Sequence, residues 1–170
     1  VLYSDYSLGR FFAEAARQPW FENTIFLVTA DHCASSAGRT EIPLQKYHIP
    51  ALILAPGLIE PGVVDGIVSQ IDLMPTLLSL LNMSYDSHFY GRSIFDPAYV
   101  NRAFIATYQD LGYLEGDTFT ILSPVRRFEQ YRVVPTEENP HHLETMERKD
   151  AMQVDRAIGY YQTSCKWNKR

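Results

Sequence analysis

An acid and an imidazole stand side by side at the end of an apolar run: Asp31 and His32 close the segment Ile25-Phe26-Leu27-Val28-Thr29-Ala30. A carboxylate oxygen and a neutral imidazole nitrogen suit a divalent metal such as zinc or manganese. Found in isolation, the same pair serves equally well as a turn cap followed by an ordinary loop residue. A second imidazole, His48, lies just before another apolar run, Ala51-Leu52-Ile53-Leu54-Ala55. For a lone histidine there, packing at the start of a strand is the common alternative to chemistry. Cys33 follows His32 directly and offers a thiol as ligand or nucleophile, but the usual fate of a free cysteine is to be a small buried residue, and that reading is preferred.

The elements around these residues can be read from periodicity. A continuous apolar run of the length of Ile25 to Ala30 predicts a central parallel strand covered on both faces. Ligands collect at the carboxyl ends of such strands, where Asp31 and His32 stand. Upstream, Leu8, Phe11, Phe12, Ala15 and Ala16 share one helical face and predict an amphipathic helix over 2–18 that Pro19 ends. Trp20 and Phe21 are expected to pack across the junction. Downstream, 34–38 reads as a loop over the site, 51–55 as a short strand closed by Pro56-Gly57, and 63–68 as a weak strand. Asp72 is expected to cap a helix over 73–81 and to do no more than that, with Pro75 in the first turn and Asn82 at the end.

Residues 84–100 read as loop, with His88 facing solvent and Arg92 in a surface salt bridge. Short alternating runs at 103–108, 112–115, 119–122 and 127–134, divided by tight turns, predict a small antiparallel sheet. After an acidic linker over 135–140, a last helix is expected to open at His141-His142 and run to about Ser164. Neighbours in a helix point about 100° apart, so these two histidines are expected to face solvent rather than share a metal.

The whole chain has 170 residues, 46% hydrophobic and 21% charged, enough for a sizeable core. Its net charge of -5, with acids and bases interspersed, argues against a nucleic-acid partner. The longest apolar runs fall far short of the ~20 residues of a membrane span. The chain opens at Val1 without an initiator Met, in what reads as the middle of a helix, so a longer parent protein is expected.

Taken in order, the segments 24–32, 47–57 and 69–78 resemble those of sulfatase-like enzymes of the alkaline phosphatase superfamily, closest to the lipoteichoic-acid synthase and phosphoglycerol transferase branch. The 2–18 helix, Tyr90-Gly91-Arg92-Ser93 and 157–162 fit the same pattern. The resemblance implies an α/β fold: the C-terminal part of an alkaline-phosphatase-like α/β/α sandwich over 1–100, then an antiparallel β subdomain and a C-terminal helix over 101–170. It implies that Asp31 and His32 are two ligands of a catalytic divalent metal (Mn, Mg or Zn) and that His48 faces the substrate phosphate or a second metal. The family's nucleophile, a Thr or a modified Cys or Ser, lies in a segment with no match here, and Cys33 is in the wrong place to be it.

The implied reaction has two steps. A Thr attacks the phosphorus of a phospholipid donor such as phosphatidylglycerol, and a glycan or lipid acceptor hydroxyl then resolves the phosphoglycerol-enzyme. Two protein ligands are too few for such a metal, so the 170-residue piece alone is expected to bind metal weakly and to be inactive. Family members are anchored by N-terminal membrane helices, which implies a catalytic domain on the extracytoplasmic, periplasmic face of the bacterial inner membrane. That compartment would permit a Cys33–Cys165 bond. Two other readings stay open: a true sulfatase or phosphodiesterase of the same fold, and a metal-free domain for binding or assembly.

Overall fold

In a computed structural model the structure describes residues 2–33 and 42–167. The loop expected over 34–38 and the basic residues after Trp167 lie outside the described residues. The chain forms two compact units, Val1–Asp31 with Ile49–Val64, and His32–His48 with Asp65–Arg170.

The first unit contains α1 (Leu2–Ala15), a single helical turn (Phe21–Asn23), β1 (Phe26–Thr29) and β2 (Ala51–Leu54). Its centre is the Phe26 ring, with Phe11, Phe12, Trp20 and Phe21 at centroid distances of 6.0, 5.3, 6.2 and 5.4 Å. Trp20 and Phe21 do pack across the helix–strand junction, and Thr24 closes it by donating from Oγ1 to the Trp20 carbonyl at 2.7 Å.

The strand expectation needs correcting. β1 pairs antiparallel with β2, from Phe26 opposite Leu54 to Thr29 opposite Ala51, and makes a two-stranded sheet among the described residues. Neither strand is fully covered: β1 is half-buried until the exposed Thr29, and Leu52 is 54% exposed. The apolar run is satisfied by one aromatic cluster, not by layers on both faces. Similarly, most of α1's apolar stripe is exposed and only Ala15 is buried.

The second unit holds α2 (Leu73–Leu80), β3 (Arg102–Ala106), β4 (Leu111–Glu115), β5 (Thr118–Ser123), β6 (Arg127–Val133), β7 (Leu143–Thr145) and α3 (Ala151–Trp167). The strands form one antiparallel meander in chain order. Ile42, Leu44, Ile105 and Phe119 make the buried core, with Leu143, Val133 and Tyr131 against it. Gly112 lets the Phe119 ring in; a Cβ there would lie 2.8 Å from it.

α3 is clipped to the sheet by the Tyr161 hydroxyl, 3.0 Å from the Ile105 carbonyl and 2.7 Å from that of Gly112. It is also tied by a buried polar network. Gln153 Oε1 accepts from Thr120 Oγ1 at 2.7 Å, and Gln153 Nε2 donates to the carbonyls of Glu115 and Thr118. Gln130, fully buried, donates to Thr120 Oγ1 at 2.9 Å.

Four expected hairpin strands are present, but the last helix starts later than expected. Residues at 141–150 are not helical: Leu143 pairs with Val133 as β7 and turns into the core, and Asp150 begins the helix by accepting from the Gln153 backbone N–H at 3.0 Å. Segment 63–68 is not a strand, and Val63 is 85% exposed. Asn82 ends α2 in the left-handed region, φ 51°, as its type allows. The junction expected at residue 100 falls inside this second unit. No helix among the described residues is long and apolar enough to cross a membrane.

Candidate functional site

Asp31 and His32 follow β1 directly after Ala30, and both are exposed. The sequence therefore delivers them to a strand's carboxyl end, as expected, though on an antiparallel pair. Asp31 closes the first stretch of the first compact unit, and His32 opens the first stretch of the second.

Within the second unit, His32 Nδ1 lies 2.9 Å from the carbonyl of Cys33, and Cys33 Sγ donates to the carbonyl of His48 at 3.3 Å. Cys33 is half-buried, Cys165 is exposed, and no disulfide forms among the described residues. The Cys33 thiol thus ties the segment after His32 to the one that carries His48.

The exposed His48 ring packs edge-on against His141, with centroids 5.7 Å apart and planes at 68°. Nδ1 of His141 is buried and has no hydrogen-bond partner. Burial, and then the neighbouring His48, push the His141 imidazole below its ordinary value of 6.5. This corrects the expectation that His141 faces solvent at a helix start. The sequence concealed the contact because only the turn before β7, not a helix, aims His141 inward.

A metal is implied by the resemblance, and these residues test it. Asp31 and His32 are donors of the right kind, exposed at a strand end. Among the described residues, however, no group of three or more His, Cys, Asp or Glu side chains is placed to hold an ion. A closed cage needs about four ligands and a catalytic site about three. The donor chemistry fits and the donor number does not.

The largest departure from expectation is Asp72. It does share a capping box with Ser69, yet it is fully buried and its carboxylate is a hub. Oδ1 accepts from the Arg92 backbone N–H at 2.9 Å and Arg102 Nη2 at 3.1 Å. Oδ2 accepts from Arg102 Nη1 at 3.1 Å, the Tyr99 hydroxyl at 2.9 Å and the Ser69 N–H at 3.1 Å. Arg102 is 2% exposed and its second branch also donates to the Tyr90 carbonyl at 3.0 Å.

Burial opposes the Arg102 charge, but the hydrogen bonds and charge of Asp72 outweigh it and hold the guanidinium above its usual range. Burial first, then Asp72, raises the Tyr99 phenol. Such a saturated, enclosed pair has no lone pair left for a ligand, so it positions backbone rather than doing chemistry. An Asp in a helix-start segment with a later Arg in a strand gave no sequence signal of pairing. Arg92 is exposed and, among the described residues, makes no salt bridge. It borders a hollow of about 390 Å³ with Pro75, Ser79, Met83 and Tyr85.

Two comparisons bear on this arrangement. A family model described as Sulfatase matches residues 1–83, the stretch that contains Asp31, His32, His48 and Asp72. The fold is similar, with a TM-score of 0.84 and 30% identity over 98% of this chain, to a crystal structure of a protein in the alkaline phosphatase superfamily from Vibrio parahaemolyticus. The chain spans 41% of that protein's length. Fold and sequence are thus similar to those of the alkaline phosphatase superfamily. Residues 1–83 match the pattern of the sulfatase family, a family of hydrolases and transferases that are typically metal-dependent.

Proposed function

We propose that this chain is the C-terminal part of the catalytic domain of a metal-dependent transferase. The enzyme moves a phosphoglycerol or related phospho group from a phospholipid donor, such as phosphatidylglycerol, to a glycan or lipid acceptor. Asp31 and His32 supply two of the metal's ligands, His48 contacts the transferred group, and the nucleophile and remaining ligands lie elsewhere in a longer protein. A divalent ion at such a site supplies Lewis-acid stabilisation of the developing charge. The catalytic domain works on the extracytoplasmic face of the bacterial inner membrane.

The observation that carries this reading is the exposed Asp31–His32 pair at the end of β1, inside the span that matches the sulfatase family. That the chain spans 41% of its structural relative supports the missing ligands being elsewhere. The order of the 24–32, 47–57 and 69–78 segments supports a sulfatase-like enzyme, of which the phosphoglycerol branch is the proposed one.

The description of the matching family favours a second reading, a sulfate-ester or phosphodiester hydrolase of the same fold. The test uses the intact protein that contains this chain. Metal content is measured by mass spectrometry for the wild type, Asp31→Ala and His32→Ala. Turnover of fluorescent phosphatidylglycerol, an aryl sulfate and an aryl phosphodiester is followed in parallel. Loss of metal and of lipid turnover in both variants supports transfer. Turnover of the sulfate alone supports the second reading. Unchanged metal and activity in His32→Ala sinks both and leaves a binding domain.

A further inference from the structure

The His48–His141 contact is the one place among the described residues where a buried side-chain polar atom lacks a hydrogen-bond partner. Buried polar groups are nearly always paired, and an exception calls for a reason. The neighbour of this orphan nitrogen is itself an imidazole. His48 stands edge-on to it at 5.7 Å between centroids, and its ring nitrogens have no hydrogen-bond partner among the described residues. His48 is exposed, so its ring has room to turn. His141 is half-buried and follows Asn139, whose Oδ1 accepts the His141 backbone N–H at 2.9 Å and so fixes the turn that aims the ring. Two imidazoles with no third donor are too few for a metal. They suffice for one N–H···N hydrogen bond.

We propose that His141 is a positioning residue for His48. With substrate bound, Nδ1 of His141 accepts the N–H of the His48 ring. This fixes the His48 tautomer and turns the other His48 nitrogen toward an oxygen of the transferred oxyanion group. The logic is general: the hydrogen bond made by one imidazole nitrogen sets what the other can do. The ligand class is a tetrahedral oxyanion ester, phosphate or sulfate. The inference rests on the role given to His48 above, and no covalent step is added to it.

The test uses the intact protein and has two parts. Steady-state kcat and KM for the ester it turns over are compared for wild type, His48→Ala, His141→Phe and His141→Asn. Phe keeps a packing ring but no acceptor; the Asn carbonyl oxygen takes roughly the place of Nδ1. The expected result is a kcat about 10- to 100-fold lower for His141→Phe, as for other outer-sphere partners, with KM little changed and most of the loss recovered in His141→Asn. The second part is ¹⁵N NMR of labelled histidines with inorganic phosphate. His48 is expected in a single tautomer in wild type and His141→Asn, and in a mixture in His141→Phe.

Full activity in His141→Phe or in His48→Ala overturns the inference. So does equal loss in the Phe and Asn variants, which marks a packing role. If His141→Phe does not fold, the Asn variant and the wild-type tautomer decide, and a mixed His48 tautomer with phosphate counts against. Failure here with His32→Ala still inactive leaves the proposed function standing. An active His32→Ala removes that function whatever His141 does.

Discussion

The carboxylate of Asp72 and the guanidinium of Arg102 meet through two hydrogen bonds of 3.1 Å, with side chains 0% and 3% exposed. Because the pair is paired twice over and fully enclosed, removing one partner leaves a charge stranded. Asp72→Ala is expected to cost about 3–5 kcal/mol, and the double variant Asp72→Leu with Arg102→Met much less than the sum of the singles. Denaturant titration of all three variants measures it; additive losses would show that the pair is not coupled.

Gly91 faces the same node. A Cβ there would come 1.9 Å from the Ile71 carbonyl oxygen and 3.0 Å from the Asp72 nitrogen, both backbone and unable to step aside. Gly91→Ala is expected to lose at least about 1–3 kcal/mol, read as a lowered denaturation midpoint at unchanged slope. In an Asp72→Ala background the loss should shrink, since the backbone is then free to relax.

Gln153 is buried and donates to the carbonyls of Glu115 (3.2 Å) and Thr118 (3.0 Å). Gln153→Leu strands acceptors that have no water to turn to, at about 1–3 kcal/mol. Thermal melts of this variant and of Gln130→Leu should each fall, and hydrogen exchange should quicken in β5 first.

His141 gives the stability a pH dependence of known sign. Its imidazole titrates below the ordinary 6.5 because burial and His48 disfavour the proton. Between the two values the unfolded chain holds more protons than the folded one. Stability is therefore complete above about pH 6.5 and falls as the pH drops toward the depressed folded value. His141→Asn should flatten that limb of a stability-against-pH curve.

The 170-residue chain alone is expected to take up manganese weakly. A ligand present at a hundred times its Kd would stabilise the fold by about 2.7 kcal/mol. With two candidate donors, micromolar manganese should leave the melting curve unmoved and EDTA should change nothing. A clear upward shift would mean that the chain holds a fuller cage than Asp31 and His32.

Local structure was legible where side chains answer to their neighbours in sequence. The alternation over 103–134 announced the hairpins, and Asp31-His32 were seen at a strand end because the apolar run stops there; the first helix is present but ends at Ala15, short of the Pro19 expected to stop it. What depended on distant partners was hidden. Nothing near Ile25–Ala30 says whether its neighbour runs parallel or antiparallel, since a covered strand and a half-covered one share the same apolar letters. Leu143 and Met146 are spaced as a helix stripe, yet pairing with Val133 and Tyr131 claimed the segment for β7. Asp72 looked like a cap and is one; its larger role needed Arg102, thirty residues away. The same holds for His141, whose partner His48 belongs to a different stretch altogether.

The meander has a kinetic consequence. Each of β4 to β7 pairs with its immediate predecessor, so every pairing in this sheet closes a short loop and none waits for a remote segment. Such a sheet can zip up strand by strand as the chain leaves the ribosome. The helix α3, made after the strands, shields Thr120 and Gln130 from water, so the nascent sheet stays wet on that side until α3 has been made.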